Sequence, residues 1–239
     1  MQDVLRRCDE HIQSRVPLLV GVANVAKVVN ARRDPELKRS LEEADFIVAD
    51  GLPIVWLSRC CGHALPERVA GIDIMIELLK QGDLKGYSVY FLGARQEVTE
   101  KVVEYTRLTY PRIRVAGYRD GYFAEDQEQE VADDIRNSKA DILFVAITPP
   151  KKENFLRRWS EYMQVPVCHG VGGSFDVVAG VTERAPLWMQ KCALEWFYRV
   201  IQEPKRMWKR YWVTNTKFVW LCFGEIVRHR LGHTQCKKP

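Results

Sequence analysis

The chain has 239 residues, 46% hydrophobic and 28% charged, which excludes a disordered or fibrous protein and allows one large domain, or one domain with an appendage. Seven cysteines, an odd number without metal-ligand spacing, argue against a disulfide framework and for a reducing compartment. The formal charge of +5 is uneven, because from Trp196 to Pro239 ten Lys or Arg face only Glu203 and Glu225, leaving the preceding residues net acidic.

The opening "MQDVLRRCDEHIQSR" lacks the apolar core of a signal peptide, so a cytoplasmic chain is expected. Residues 17 to 195 then alternate between β-branched runs and helix-like periodic segments. "PLLVGVANVAKVVNARRD" begins as a strand and turns into a helix. "ADFIVADG" reads as a strand ending at Asp50-Gly51, "GYSVYFLGA" as one ending at Gly93-Ala94, "ADILFVAITPP" as one ending near Pro149, and "VPVCHGVGG" as one ending in glycines. Between them, "IDIMIELLKQG", "QEVTEKVVEYTRL" and "EQEVADDIRNS" carry helical spacing. Strand, loop, helix, strand predicts a Rossmann-like α/β core, a parallel sheet with helices on both faces. The compositional break near Trp196 divides a core of residues 1–195 from a basic, aromatic C-terminal helical appendage of residues 196–239.

In such sheets ligands bind beyond the carboxyl ends of the strands, where helix N-termini offer free N–H groups to phosphate. Asp50-Gly51, Gly93, the Pro149 to Lys152 segment and the Gly170 to Gly173 cluster are expected there, on one rim. Asp50 reads either as a helix cap or as a general base, and Asn24 as a cap or a hydrogen-bond partner of a sugar. Arg68 and Arg184 have planar forks that suit a diphosphate, although solvated surface arginines look the same in sequence. Lys151, Lys152 and Glu153 open a helix where two lysines oppose the dipole, which an anionic ligand would relieve, although solvated lysines are the commoner outcome. The glycine cluster "GVGGSFDVVAG" fits either close approach of a ligand or a tight strand-to-helix turn. It is not the dinucleotide fingerprint, which removes the oxidoreductase reading, and no Walker loop, zinc set or acidic pair for a divalent metal accompanies it. Signatures of nucleic-acid binding are missing as well, so no nucleic-acid partner is expected.

Seven blocks then resemble one family. "VANVAKVVNARRDPELKRSLEEADFIVADGLPIV", "LPERVAGIDIM", "YFLGA", "GYF", "LFVAITPPKKENFL", "GVGGSFDVVAG" and "RAPLWMQKCALEWFYRVIQEPKRMWKRY" occur in the order and spacing of the WecG/TagA/CpsF glycosyltransferases, over roughly residues 15 to 212. The resemblance implies an inverting, metal-independent hexosyltransferase of cell-surface polysaccharide biosynthesis. Its donor would be a UDP-sugar, with no further cofactor, and its acceptor a polyprenyl-diphosphate-linked saccharide. By the same resemblance Asp50 is the base that deprotonates the acceptor hydroxyl, with Asn24 beside it. The resemblance also places Arg68, Tyr122, Lys152, Gly172, Gly173 and Asp176 in the nucleotide-sugar pocket, and the rim residues Gly93, Glu153 and Arg184 are expected to bind substrate with them. Two positions depart from the family pattern: Val22 stands where many members carry Thr, and Lys152 where many carry Gln. A catalytically retired member acting as a membrane-associated assembly protein is the alternative reading.

The appendage is expected to supply Arg199, Arg206 and Arg210 to a diphosphate or to lipid. Lys217 and Glu225 interrupt its best apolar run, so it reads as lying on a membrane rather than through it. Trp208, Tyr211, Trp212, Asn215, Val219 and Cys222 fall near one helical face, with Lys205, Arg206, Lys209 and Arg210 alongside, the pattern of an interfacial helix on anionic lipid. The expected location is thus peripheral, on the inner face of the plasma membrane. A homo-oligomer is also left open.

Overall fold

The computed structural model describes residues 1–232, apart from the side chains of 206, 210 and 228–232. In chain order the elements are α1 (Gln2–Ser14), β1 (Leu18–Ala23), α2 (Val25–Ala31), α3 (Pro35–Glu42), β2 (Phe46–Ala49), α4 (Leu52–Cys60), α5 (Gly71–Lys85), β3 (Ser88–Gly93), α6 (Gln96–Thr109) and β4 (Arg114–Arg119). They continue with α7 (Glu128–Ser138), β5 (Ile142–Ala146), α8 (Lys151–Met163), β6 (Val167–Gly170), α9 (Ser174–Val178), α10 (Leu187–Lys191), α11 (Glu195–Gln202) and α12 (Pro204–Gly232). The strands form a six-stranded parallel sheet of order β2-β1-β6-β5-β3-β4, as the alternating sequence pattern requires.

Burial follows the two-residue period of a strand. Val89 and Phe91 of β3, with Ile142 and Phe144 of β5, join a core completed by Val4, Leu5 and Cys8 of α1, Ile74, Met75 and Leu78 of α5, and Val102 of α6. Tyr90, Leu92, Leu143 and Val145 face the other way, into a core with Val131 and Ile135 of α7 and Phe155 of α8. Every residue of β3 and β5 is buried, as central strands covered on both faces must be. Each fully buried Leu, Ile or Phe contributes about 1.5–3 kcal/mol, so these two strands anchor the positions of the loops that follow them.

One strand, β4, has no counterpart among the sequence-based expectations. It lies at the sheet edge with exposed Arg114 and Tyr118, and without a buried face it shows little hydrophobic alternation. Its Gly117 is demanded by packing, since a Cβ there would stand 2.5 Å from the Tyr90 ring.

The chain separates into two compact units, both discontinuous in sequence. The first comprises Met1–Val22, Glu36–Val48 and Val69–Glu183, and contains both cores described above. The second comprises Ala23–Pro35, Ala49–Arg68 and the chain from Arg184 onward. Within it α12 packs along α2 and α11, burying Met207, Thr214 and Phe218, with the Tyr211 ring against Trp196 at 6.0 Å. Arg32 of α2 and Glu225 of α12 approach to 3.7 Å.

Candidate functional site

The sequence-predicted residues fall into two groups, one in each unit. In the first unit, the carboxyl ends of β6, β5 and β3 are neighbours in the sheet, pairing Val145 with Gly170 and Gly93 with Ala146. Gly93 has φ +128°, and a Cβ there would stand 2.5 Å from the Ala146 backbone, so contact with β5 accounts for this glycine without a ligand. Tyr122 stands in the loop after β4, 75% exposed, its N–H donating to Asp120 Oδ1 at 2.7 Å. Lys151 does not reach for solvent. Its ammonium lies 3.7 Å from the centre of the Phe123 ring and donates to the Phe123 carbonyl, which ties the Tyr122 loop to the start of α8.

Lys152 departs from the picture of a solvated lysine, being only 5% exposed. Its Nζ lies 3.3 Å from Glu153 Oε1, and its stem passes under Gly170, where a Cβ would be 2.9 Å from Lys152 Cε. The glycine cluster thus answers to more than one demand: Gly170 makes room for a buried lysine, whereas Gly172 has open space around it and a left-handed φ of +55°. Gly173 caps α9, and the Asp176 carbonyl accepts from Val181 and Thr182 at 2.8 and 3.1 Å, which fixes the loop beyond that short helix. His169, fully buried on β6, has Nε2 3.1 Å from the Gly71 carbonyl. Val22 is likewise a buried core residue.

In the second unit, Asn24 caps α2, its Oδ1 accepting from the Lys27 N–H at 3.0 Å. This is the capping alternative, and it fixes the side chain at the end of β1. Asp50 is not the cap of α4, because Gly51 occupies that position. The Asp50 backbone is held at the end of β2 by an N–H bond to the Ala23 carbonyl at 2.8 Å, with its side chain half-buried.

Arg68 reaches Glu195 at the start of α11, Nη2 to Oε1 2.8 Å, while its buried Nε has no hydrogen-bond partner among the described residues. Glu195 gathers the rest of the group. Burial pushes its carboxyl up, Arg68 pulls it down, Asp50 raises it again, and Arg184 and Arg199 lower it, with a net shift above its ordinary value. Asp50, Arg68, Arg184, Glu195 and Arg199 therefore form one electrostatically coupled set. Sequence reasoning missed Glu195, whose visible signal is the i,i+4 spacing to Arg199 on α11. The side chains of Arg206 and Arg210 lie outside the described residues.

The outward face of α12 differs from the expected one. Trp208, Trp212, Val219, Trp220 and Phe223 are exposed, with Trp208 stacked on Trp212 at 5.7 Å, and Lys205 and Lys209 are exposed with them. Tyr211, Asn215 and Cys222 are only half-exposed, because the side bearing Met207, Thr214 and Phe218 is the one that packs. No helix among the described residues is long and apolar enough to cross a membrane. Nor do any three His, Cys, Asp or Glu among them form a group able to hold a metal ion.

A family model described as the glycosyl transferase WecG/TagA/CpsF family matches residues 1–232. The chain belongs to that family. Among curated relatives, a protein of Bacillus spizizenii is 38% identical over 191 residues, covering 80% of this chain and 73% of its own length. One of Bacillus subtilis is 36% identical over 200 residues, covering 84% and 77% respectively. Both are named N-acetylglucosaminyldiphosphoundecaprenol N-acetyl-beta-D-mannosaminyltransferase. The α/β sheet fits the family, and the match extends through α12, so the C-terminal helices belong to the shared chain rather than to an unrelated extension.

Proposed function

We propose that this member of the family transfers an N-acetyl-β-D-mannosaminyl group from a UDP-sugar to a polyprenyl-diphosphate-linked N-acetylglucosamine. The observation that carries the reading is the extended match to the two mannosaminyltransferases, 38% and 36% identical over 80% and 84% of the chain. The second unit is consistent with it, since Asp50 stands at the end of β2 and, with Arg68, Arg184 and Arg199, acts on the Glu195 carboxyl.

In this reading Asp50 accepts the proton of the acceptor hydroxyl as its oxygen attacks the anomeric carbon. The bond from that carbon to the UDP oxygen breaks with inversion. Asn24, fixed by its capping bond, is a neighbour of the donor sugar. The departing diphosphate gains negative charge, and fixed cations aimed at developing charge are typically the largest catalytic effect in such a site. Arg68, Arg184 and Arg199 provide that charge, with Arg206 and Arg210 of α12 assigned the same task, and no metal ion is invoked. The loops around Tyr122, Lys152, Gly172, Gly173 and Asp176 are assigned to the nucleotide-sugar. Trp208, Trp212, Val219 and Phe223, with Lys205 and Lys209, are assigned to the surface of an anionic bilayer, where each basic residue contributes about 1 kcal/mol.

The test is UDP release from a panel of UDP-sugars, with and without detergent-dispersed polyprenyl-diphosphate N-acetylglucosamine, run alongside Asp50→Asn and with chelator present. Acceptor-dependent release from UDP-N-acetylmannosamine, unaffected by chelator and reduced by about 100-fold or more in Asp50→Asn, is the expected result. UDP binding without release from any pair would refute the transferase reading. Flotation with liposomes containing anionic lipid, lost when Trp208 and Trp212 are replaced by Asp, checks the membrane surface.

A further inference from the structure

Glu195 is the acidic residue that the proposed chemistry leaves without a task, although it is paired with Arg68 and its carboxyl feels Asp50, Arg184 and Arg199. It opens α11, so its carboxylate lies in the first turn, where free N–H groups and the positive end of the helix dipole favour negative charge. Its Oε1 is 2.8 Å from Arg68 Nη2, in a pair whose side chains are 31% and 14% exposed. Pairs so placed are less screened than surface ion pairs. The five N–H groups of a guanidinium lie in one rigid plane, so holding one edge sets the direction of all the others. Arg68 has one Nη held in this way and a buried Nε–H without an acceptor among the described residues. The contact to Glu195 thus uses one nitrogen of the fork and leaves the others to a further partner.

We propose that Glu195 is a positioning residue of the transfer site, gripping one edge of the Arg68 guanidinium so that its remaining N–H groups face the diphosphate of the nucleotide-sugar. The assignment rests on the reading of Arg68 as a diphosphate ligand. Glu195 acts only through Arg68 and touches neither the sugar nor the diphosphate. Its loss leaves Arg68 charged but no longer oriented, so the effect falls on binding of the nucleotide more than on the chemical step.

The experiment measures UDP affinity by calorimetry and steady-state transfer on the full chain, for the native protein, Glu195→Gln, Glu195→Asp, Arg68→Ala and the double variant Arg68→Ala/Glu195→Gln. Glu195→Gln is expected to raise the UDP Kd and the KM for the UDP-sugar by about tenfold, with kcat changed less than about threefold. Glu195→Asp, which keeps the charge, recovers most of that loss. In the Arg68→Ala background Glu195→Gln has no further effect, because the residue through which Glu195 acts is gone.

An unchanged UDP Kd in folded Glu195→Gln, or effects of the two substitutions that simply add, would overturn the proposal. Should Glu195→Gln fail to fold, Glu195→Ala, measured alone and with Arg68→Ala, decides the same question. If the native chain binds UDP but transfers nothing, the transferase reading fails while the Kd series still judges Glu195. If the native chain does not bind UDP, both fall.

Discussion

Replacing Gly170 by Ala tests the claim that the glycine cluster is shaped in part by a buried lysine. The new Cβ would stand 2.9 Å from Cε, 3.0 Å from Cδ and 3.3 Å from Nζ of Lys152. Carbon atoms settle at about 3.5–4.0 Å, so the lysine stem must retreat by roughly 0.5–1 Å. It has little room, being 5% exposed with its ammonium 3.3 Å from Glu153 Oε1. Overpacking of this kind costs about 1–3 kcal/mol. The middle of that range, about 2 kcal/mol, corresponds to a fall of about 4–8 °C in Tm for a chain of this size.

Gly172→Ala serves as the control. That position has open space but a left-handed φ of +55°, so Ala there costs about 1–2 kcal/mol through backbone strain alone. The totals are similar, and dependence on Lys152 separates them. In a Lys152→Ala background the obstructing atoms are absent, and Gly170→Ala is expected to cost less than about 0.5 kcal/mol, a coupling of about 1.5 kcal/mol. The cost of Gly172→Ala stays the same in both backgrounds. Urea denaturation followed by circular dichroism measures all the variants. A cost for Gly170→Ala that does not depend on Lys152 would refute the steric argument.

Three further outcomes follow from other parts of the molecule. Asp9 of α1 is pushed up by burial but held below its ordinary value of 3.8 by hydrogen bonds from Lys85 and Tyr87, so its contribution is present above that value and lost as pH falls through the lower native one. Lys85→Met should therefore lower stability by about 1 kcal/mol at neutral pH and by less near pH 2, in urea unfolding across pH; an equal loss at both would contradict the linkage. Glu195 has the opposite sign, since its native value is raised above 4.5 by burial in the presence of Asp50, Arg68, Arg184 and Arg199. Its contribution to stability is full below 4.5 and declines as pH rises through the native value, a decline that Glu195→Gln should remove. Burial pushes the Cys8 and Cys168 thiols up to about 12, so at pH 8 a thiol reagent should modify exposed Cys60 and Cys192 in the native protein and reach the other two only on unfolding.

The parallel sheet was legible because its inner strands are short apolar runs that end in Gly, Asp or Pro, and the helices between them keep a 3.6-residue period. Edge strand β4 was not legible, since exposed Arg114 and Tyr118 remove the hydrophobic signal on which strand recognition depends. Periodicity marked α12 as amphipathic but could not say which apolar stripe packs. Met207 and Phe218 turn inward, while the larger Trp208 and Trp212 remain outside, and only the presence of α2 and α11 decides between those faces. Asn24 was read correctly as a cap or a functional residue but not as one of the two, because its capping bond is a matter of geometry.

The charged residues show where a one-dimensional reading stops. Lys151 and Lys152 are adjacent and chemically identical, and both looked like cations offered to an anion. Yet one is spent on the Phe123 ring and carbonyl, and the other is buried beneath Gly170 beside Glu153. Arg68 and Glu195 are separated by 127 positions, so nothing local announces their pairing. Burying a cation is unfavourable unless it is paired, and this makes the partner more informative than the cation itself. Arg68 is paired with a carboxylate and keeps an Nε–H with no acceptor among the described residues, whereas Lys151 already holds its partners. On physical grounds Arg68, rather than the lysine pair that stood out in the sequence, is the position at which the diphosphate reading should first be tested.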